Sequence, residues 1–252
     1  MVRLLSGPTL LRRCFDRLCG LFEPRNILVV TNVGYVDMVR ENLLELPAEN
    51  VIAEPIVRDT AGAIGLAATV LYKYDPHSTM AVVTADQVIE PDERFQKAMQ
   101  IALDFVEEHS GALLTFGIKP SFASTQYGYI RLGQGVPCGE SAAAVRRVEA
   151  FKEKPDAQTA KDYVDSGQFY WNSGMFVWKT KTILDYLHQF LPAGIEPLDK
   201  IQLAWGRSEQ EDTLNEWFPK LPKISIDYAV MEKAADVYGI ALDCCWRDLG
   251  SF

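Results

Sequence analysis

The chain has 252 residues, 48% hydrophobic and 23% charged, with a formal net charge of -9. A chain this long can bury about 70–75% of its unfolded surface, and no Pro/Gly/Ser-rich linker divides it, so one globular α/β domain over 1–252 is expected. The acidic balance argues against a DNA or RNA polymer as partner, no run approaches the ~20 apolar residues of a membrane span, and no secretory pattern opens the chain.

In chain order, strand and helix patterns alternate through the first half, the signature of an open α/β sheet. Ile27-Leu-Val-Val-Thr-Asn32 reads as a buried strand, and 33–46 as a helix. Val51-Ile-Ala53 is a short strand, and 60–74 a helix rich in Ala and Gly whose backbone can approach the sheet or a ligand closely. Thr79-Met-Ala-Val-Val-Thr84 is a strand stopped by Ala85-Asp86, a long helix covers 91–109, and Ala112-Leu-Leu-Thr-Phe-Gly-Ile118 is again a strand. Beyond Tyr127 the pattern predicts strands over 128–132, 145–151, 169–178 and 238–242, and helices over 156–166, 180–190 and 226–235. Between them, 192–223 is a mixture of helix and loop.

Five cysteines, an odd number without metal-ligand spacing, read as buried, reduced thiols of a cytoplasmic protein, and the three histidines lie far apart. Four polar-aromatic islands are less ordinary: Phe151-Lys-Glu-Lys-Pro155, Trp171-Asn-Ser-Gly-Met-Phe176, Ser225-Ile-Asp-Tyr-Ala-Val-Met-Glu232 and Trp246-Arg-Asp-Leu-Gly-Ser-Phe252. Each sets a polar group among bulky apolar residues, where an unpartnered one costs about 1–3 kcal/mol. Together they point to one pocket for a polar ligand.

Asp86 follows a buried strand at the sheet edge where α/β proteins bind ligands. There it either caps a turn or holds a hard cation. Asp248, with Gly250 behind it, is a turn former or a second carboxylate for the same ion. Glu54 and Arg58 flank a turn, either as a surface ion pair or as readers of a purine edge, and Thr60 is placed to cap the next helix. Lys154 suits a sugar phosphate and Glu153 sugar hydroxyls. Asn172 suits hydroxyls too, or its aromatic neighbours are core and its amide satisfies backbone. Asp227 opens a helix and either serves the pocket or simply caps it.

Taken together these segments resemble the bacterial mannose-1-phosphate guanylyltransferases. The resemblance rests on the four islands, Glu54-Pro-x-x-Arg58, Thr115-Phe-Gly-Ile-Lys-Pro120 and Tyr127-Gly-Tyr-Ile130. It implies a nucleotide-diphospho-sugar transferase fold, a mixed, mainly parallel sheet flanked by helices. It also implies the reaction GTP + mannose 1-phosphate → GDP-mannose + pyrophosphate. By the same resemblance Asp86 and Asp248 hold Mg²⁺, and Glu54, Arg58, Thr60, Ala85 and Asp86 belong to the nucleotide site. Gly128, Glu153, Lys154, Asn172 and Asp227 line the sugar-phosphate pocket. GTP and mannose 1-phosphate are then the partners, with no nucleic acid or membrane, and self-association is open.

The family's opening strand and its Gly-Gly-x-Gly-Thr-Arg-Leu-Trp-Pro loop, followed by Pro-Lys, have no counterpart here; Ser6-Gly7-Pro8 is a turn before the first helix. The expectation is therefore a chain shortened at both ends, without the loop's catalytic Arg and Lys and weakly active or inactive alone. A missing central strand would leave unpaired ladder groups on its neighbours. Gln87 stands where His is usual, Asp59 where Asn is usual, and Gly62 where Pro is usual. The alternative reading is a non-catalytic sugar-nucleotide-binding or regulatory protein, or a degenerate fragment.

Overall fold

The structure is a computed structural model that describes residues 7–137 and 144–250. The expected turn at Ser6-Gly7-Pro8 falls partly outside those residues, and Cys138 and the last two residues of the fourth island lie outside them. Of the described cysteines only Cys14 is buried, contrary to expectation, because Cys19 ends a surface helix and Cys244 and Cys245 lie at a strand edge. The chain packs as two compact units. One comprises the chain up to Ser78 with Ile183–Val230, the other Thr79–Thr182 with the chain from Met231 onward.

The first unit opens with helix α1 (Leu10–Cys19), capped by the Thr9 hydroxyl, which accepts the Arg12 N–H at 3.0 Å. Leu10, Cys14, Phe15 and Leu18 recur at helical spacing and form its buried stripe. Strands β1 (Val29–Asn32) and β2 (Val51–Glu54) pair in parallel, with Asn32 opposite Glu54. β1 was expected to be buried, but all four of its residues are half-buried. Its only ladder partner among the described residues is β2.

The helix expected over 33–46 is shorter: a 3₁₀ turn at Val33–Tyr35 precedes α2 (Val36–Asn42). Asn32 accepts the Gly34 N–H at 3.0 Å and starts that turn. The helix ends where Leu43 leaves the helical region, at φ -125° and ψ 68°.

Helix α3 (Asp59–Tyr74) buries Ala61, Gly62, Ile64, Gly65, Leu66, Ala67, Ala68 and Val70. Its glycines admit helices rather than a ligand. A Cβ at Gly65 would lie 3.2 Å from Leu198 and 3.4 Å from Leu187. Leu187 belongs to α6 (Thr180–Phe190), within which the boundary between units falls, and Leu198 to α7 (Ile195–Ala204). Helix α8 (Gln210–Trp217) packs on α7, so the mixed stretch over 192–223 is more regular than its polarity suggests.

The second unit holds β3 (Thr79–Val82), β4 (Gln87–Glu90), α4 (Asp92–Glu108), β5 (Leu113–Ile118), β6 (Tyr129–Val136), β7 (Val145–Lys152), α5 (Ala157–Ser166), β8 (Phe169–Lys179), β9 (Val237–Ala241) and β10 (Cys245–Asp248). Six strands form one mixed sheet in the order β3-β8-β5-β9-β7-β6, with β6 also pairing with β8. β3, β5, β9 and β6 run one way and β8 and β7 the other. The sheet is mixed as expected but not mainly parallel: of its ladders only β5–β9 is parallel and the others are antiparallel. β3 has β8 as its only ladder partner among the described residues.

Helix α4 buries Phe95, Ala98, Met99, Ala102, Phe105 and Val106, one stripe at three- and four-residue spacing. Two short strands were missed in the sequence, β4 and β10, which pair antiparallel as a separate ribbon. No helix among the described residues is long and apolar enough to cross a membrane.

Candidate functional site

In the second unit the β4–β10 ribbon brings together two carboxylates that are remote in sequence. Its register sets Asp248 opposite Gln87, the residue after Asp86. The Leu249 N–H donates to the Asp86 carbonyl at 3.1 Å, and the Gly250 N–H to Asp248 Oδ1 at 2.8 Å. A Cβ on Gly250 would lie 2.2 Å from Asp86 Oδ2 and 3.3 Å from Asp248 Oδ1, so only glycine leaves both carboxylates room.

Protein packed around the Asp86 carboxyl, and then the Asp248 charge, raise its pKa above the usual carboxylate value. Two facing carboxylates suit a hard divalent cation, which takes oxygen ligands and keeps several waters. Mg²⁺ fits this donor pair. Among the described residues no third His, Cys, Asp or Glu joins them. Ala85 is exposed beside Asp86.

The same unit gathers Gly128, Glu153, Lys154 and Asn172. The Asn172 N–H donates to the Gly128 carbonyl at 2.8 Å. A Cβ at Gly128 would come within 2.4 Å of Glu153 Oε2 and 3.3 Å of Asn172 Cβ. Glu153 and Asn172 are each 7% exposed, while Lys154 is exposed. Lys154 adopts φ 44°, a left-handed conformation that few non-glycine residues take, and its Nζ lies 3.5 Å from Glu153 Oε1.

The sequence reading missed the residues that hold these groups. Glu232 Oε1 accepts the Glu153 N–H at 2.8 Å and lies 3.6 Å from Lys152 Nζ. The fully buried Thr115 hydroxyl lies 2.7 Å from Asn172 Oδ1 and 2.9 Å from the Met175 carbonyl. Glu232 and Thr115 both sit inside the recognisable motifs, but only pairing across the fold reveals their roles. Rings from outside the islands brace the tryptophans of two of them. Trp171 meets Phe122 at 4.9 Å and Tyr127 at 5.1 Å, and Tyr127 meets Trp246 at 5.4 Å. These rings precede Asn172, Gly128 and Asp248 in the chain, so packing fixes the backbone that presents the polar groups.

In the first unit Glu54 ends β2 and is 9% exposed, and its Oε1 has no hydrogen-bond partner. Burial pushes its carboxyl up to about 7. The expected Glu54–Arg58 ion pair is absent. Arg58 Nη2 instead donates to the Pro219 carbonyl, and its Nε has no partner. Nor does Arg58 offset Asp59, whose Oδ1 accepts the Thr60 N–H at 2.7 Å and whose φ is 61°.

Thr60 is not the helix cap. α3 begins one residue earlier, and the Thr60 hydroxyl accepts the Ile226 N–H at 2.8 Å. Asp227 opens a turn of π-helix (Asp227–Met231) rather than the longer helix expected over 226–235. Through Ile226 it lies beside Thr60 in the first unit, whereas Gly128, Glu153, Lys154 and Asn172 belong to the second.

The model of a family described as nucleotidyl transferase matches residues 1–252. The mannose-1-phosphate guanylyltransferase of Klebsiella pneumoniae is 37% identical over 254 residues, covering 100% of this chain and 53% of that protein. The protein of the same name from Escherichia coli K12 is 38% identical, with 97% and 51% covered. The chain thus spans about half the length of the curated relatives it matches. A solved structure from Thermus thermophilus, titled mannose-1-phosphate geranyltransferase, superposes with a TM-score of 0.82 at 32% identity, covering 98% of this chain and 68% of that one.

Proposed function

This chain belongs to the nucleotidyl transferase family, and from that membership we propose that it transfers a guanylyl group from GTP to mannose 1-phosphate. An oxygen of the sugar phosphate attacks the α-phosphorus of GTP. The bond from that phosphorus to the bridging oxygen breaks, and pyrophosphate leaves with the electron pair. The attacking oxygen is already anionic, so no side chain need take a proton. The protein's work is positioning and charge neutralisation.

The observation that carries this reading is the convergence of Asp86 and Asp248 over a glycine that leaves them space. These two residues would hold Mg²⁺, which when bound supplies positive charge along the triphosphate. Lys154, presented by its left-handed backbone, offers an ammonium to the sugar phosphate, while Glu153 and Asn172 meet sugar hydroxyls above Gly128. Glu54 supplies the base contact: a buried carboxylate oxygen without a partner suits the N1–H and 2-amino donors of guanine and gives adenine no equivalent pair.

The test is pyrophosphate release with Mg²⁺ across GTP, ATP and UTP, each with mannose 1-phosphate or glucose 1-phosphate. GTP with mannose 1-phosphate is expected to give the highest kcat/KM, and Asp86→Asn and Asp248→Asn to lose most of it. A clear preference for another pair, or a folded chain that binds neither GTP nor mannose 1-phosphate, refutes the reading. Weak turnover with GTP and mannose 1-phosphate still preferred agrees with the missing loop.

A further inference from the structure

We infer that Gln87 is a positioning residue that couples the carboxylate pair to the sugar-binding segment, an inference that rests on the function proposed above. β8 leaves the β5 ladder between Asn172, opposite Gly117, and Phe176, opposite Thr115. Residues 173–175 therefore bulge from the ladder, three residues against Phe116, with Gly174 at φ 72°. Such a bulge strips carbonyls of their ladder donors, and buried carbonyls need replacements.

Two side chains provide them. Thr115 Oγ1 lies 2.9 Å from the Met175 carbonyl, and Gln87 Nε2 donates to the Ser173 carbonyl at 2.7 Å. Gln87 is only 4% exposed, and its other amide atom is also engaged: Oε1 accepts the Trp246 Nε1–H at 2.9 Å. One end of this amide therefore grips the backbone next to Asn172. The other grips a ring on β10, two residues before Asp248. Gln87 itself follows Asp86 and sits opposite Asp248 in the ribbon.

The chemistry requires an amide. Glutamate here would face the Ser173 carbonyl with a second acceptor and no donor, and methionine would supply neither group. Because the same side chain fixes both segments, an ion that orders the Asp86–Asp248 pair also orders the bulge carrying Asn172. A sugar phosphate bound at Asn172 orders the carboxylates in return, since such linkage is reciprocal.

Calorimetry tests this with Mn²⁺ and mannose 1-phosphate, each titrated alone and in the presence of the other, into the parent chain, Gln87→Met and Gln87→Glu. In the parent each ligand should tighten the other. In the variants both affinities should fall at least fivefold and the mutual enhancement should shrink toward none, with the KM for mannose 1-phosphate rising. A second measurement needs no variant at this position. The Trp246 indole N–H signal, assigned with Trp246→Phe, should shift when mannose 1-phosphate is added to the parent without metal.

Folded Gln87→Met with both affinities and their coupling within twofold of the parent overturns the inference and leaves the guanylyltransferase reading standing. A Trp246 signal unmoved by saturating sugar phosphate does the same. A parent chain that binds neither ligand overturns both.

Discussion

Glu54 gives the sharpest quantitative test. Its carboxyl ionises near 7 in the folded chain against an ordinary value of 4.5, so the folded state holds the proton more tightly than the unfolded state. Stability therefore rises as pH falls through 7, and ionisation opposes folding by about 1.4 kcal/mol at pH 5.5 and about 3 kcal/mol at pH 8. Glu54→Gln removes the titration while keeping the shape. Whatever the amide itself contributes is the same at both pH values, so it cancels in the comparison. Urea unfolding should show the stability difference between variant and parent moving by about 2 kcal/mol in the variant's favour from pH 5.5 to pH 8. The ligand side runs the other way. If guanine needs the ionised carboxylate, its apparent affinity follows the ionised fraction and rises about tenfold from pH 6 to pH 8. Guanosine is the suitable probe, because it carries no phosphate to titrate. A stability difference that does not change with pH refutes the burial argument. Guanosine affinity flat across that range, or undiminished in Glu54→Gln, refutes the assignment of Glu54 to the base.

Three further substitutions probe the second unit. Gly250→Ala places a methyl 2.2 Å from Asp86 Oδ2 and should weaken Mn²⁺ binding at least tenfold by calorimetry, with little change in melting temperature, since Gly250 is exposed. Gly128→Ala drives a methyl against Glu153 and Asn172, and should cost about 1–3 kcal/mol in chemical denaturation while raising the KM for mannose 1-phosphate more than that for GTP. Thr115→Val keeps the volume but removes the hydroxyl from between Asn172 Oδ1 and the Met175 carbonyl. A loss of about 1–3 kcal/mol in stability and weaker sugar-phosphate binding are expected, measured by urea unfolding and calorimetry.

The aromatic islands show how one motif serves both packing and chemistry. Trp171 and Asn172 are neighbours in β8, and successive side chains of a strand point to opposite faces. The ring joins Phe122 and Tyr127, while the amide joins Thr115, and its backbone N–H bonds the Gly128 carbonyl. Composition alone left each island open to either role. The alternation of the strand assigns both at once.

Periodicity by itself determined the long elements. The stripe from Phe95 to Val106 specifies α4, because that spacing is buried only as a helix, while the apolar run from Leu113 to Ile118 marks β5 by its shortness and the Pro120 that follows. Residue chemistry also nominated Glu153, Asn172 and Asp248, since polar groups set among bulky apolar ones need partners, and the end of a buried strand nominated Asp86. Only the tertiary structure decided which of them meet. β4 and β10 are four residues each and too short to declare themselves, yet their antiparallel register is what brings Asp248 to Asp86. The Ala/Gly-rich face of α3 read as room for the sheet or a ligand, but at Gly65 it is Leu187 and Leu198, from two other helices, that take the space. Thr60 had a cap's chemistry but spends its hydroxyl on Ile226. In each case the deciding partner lies far along the chain, and a local pattern records a residue's own preferences, not the identity of the distant group that folding sets against it.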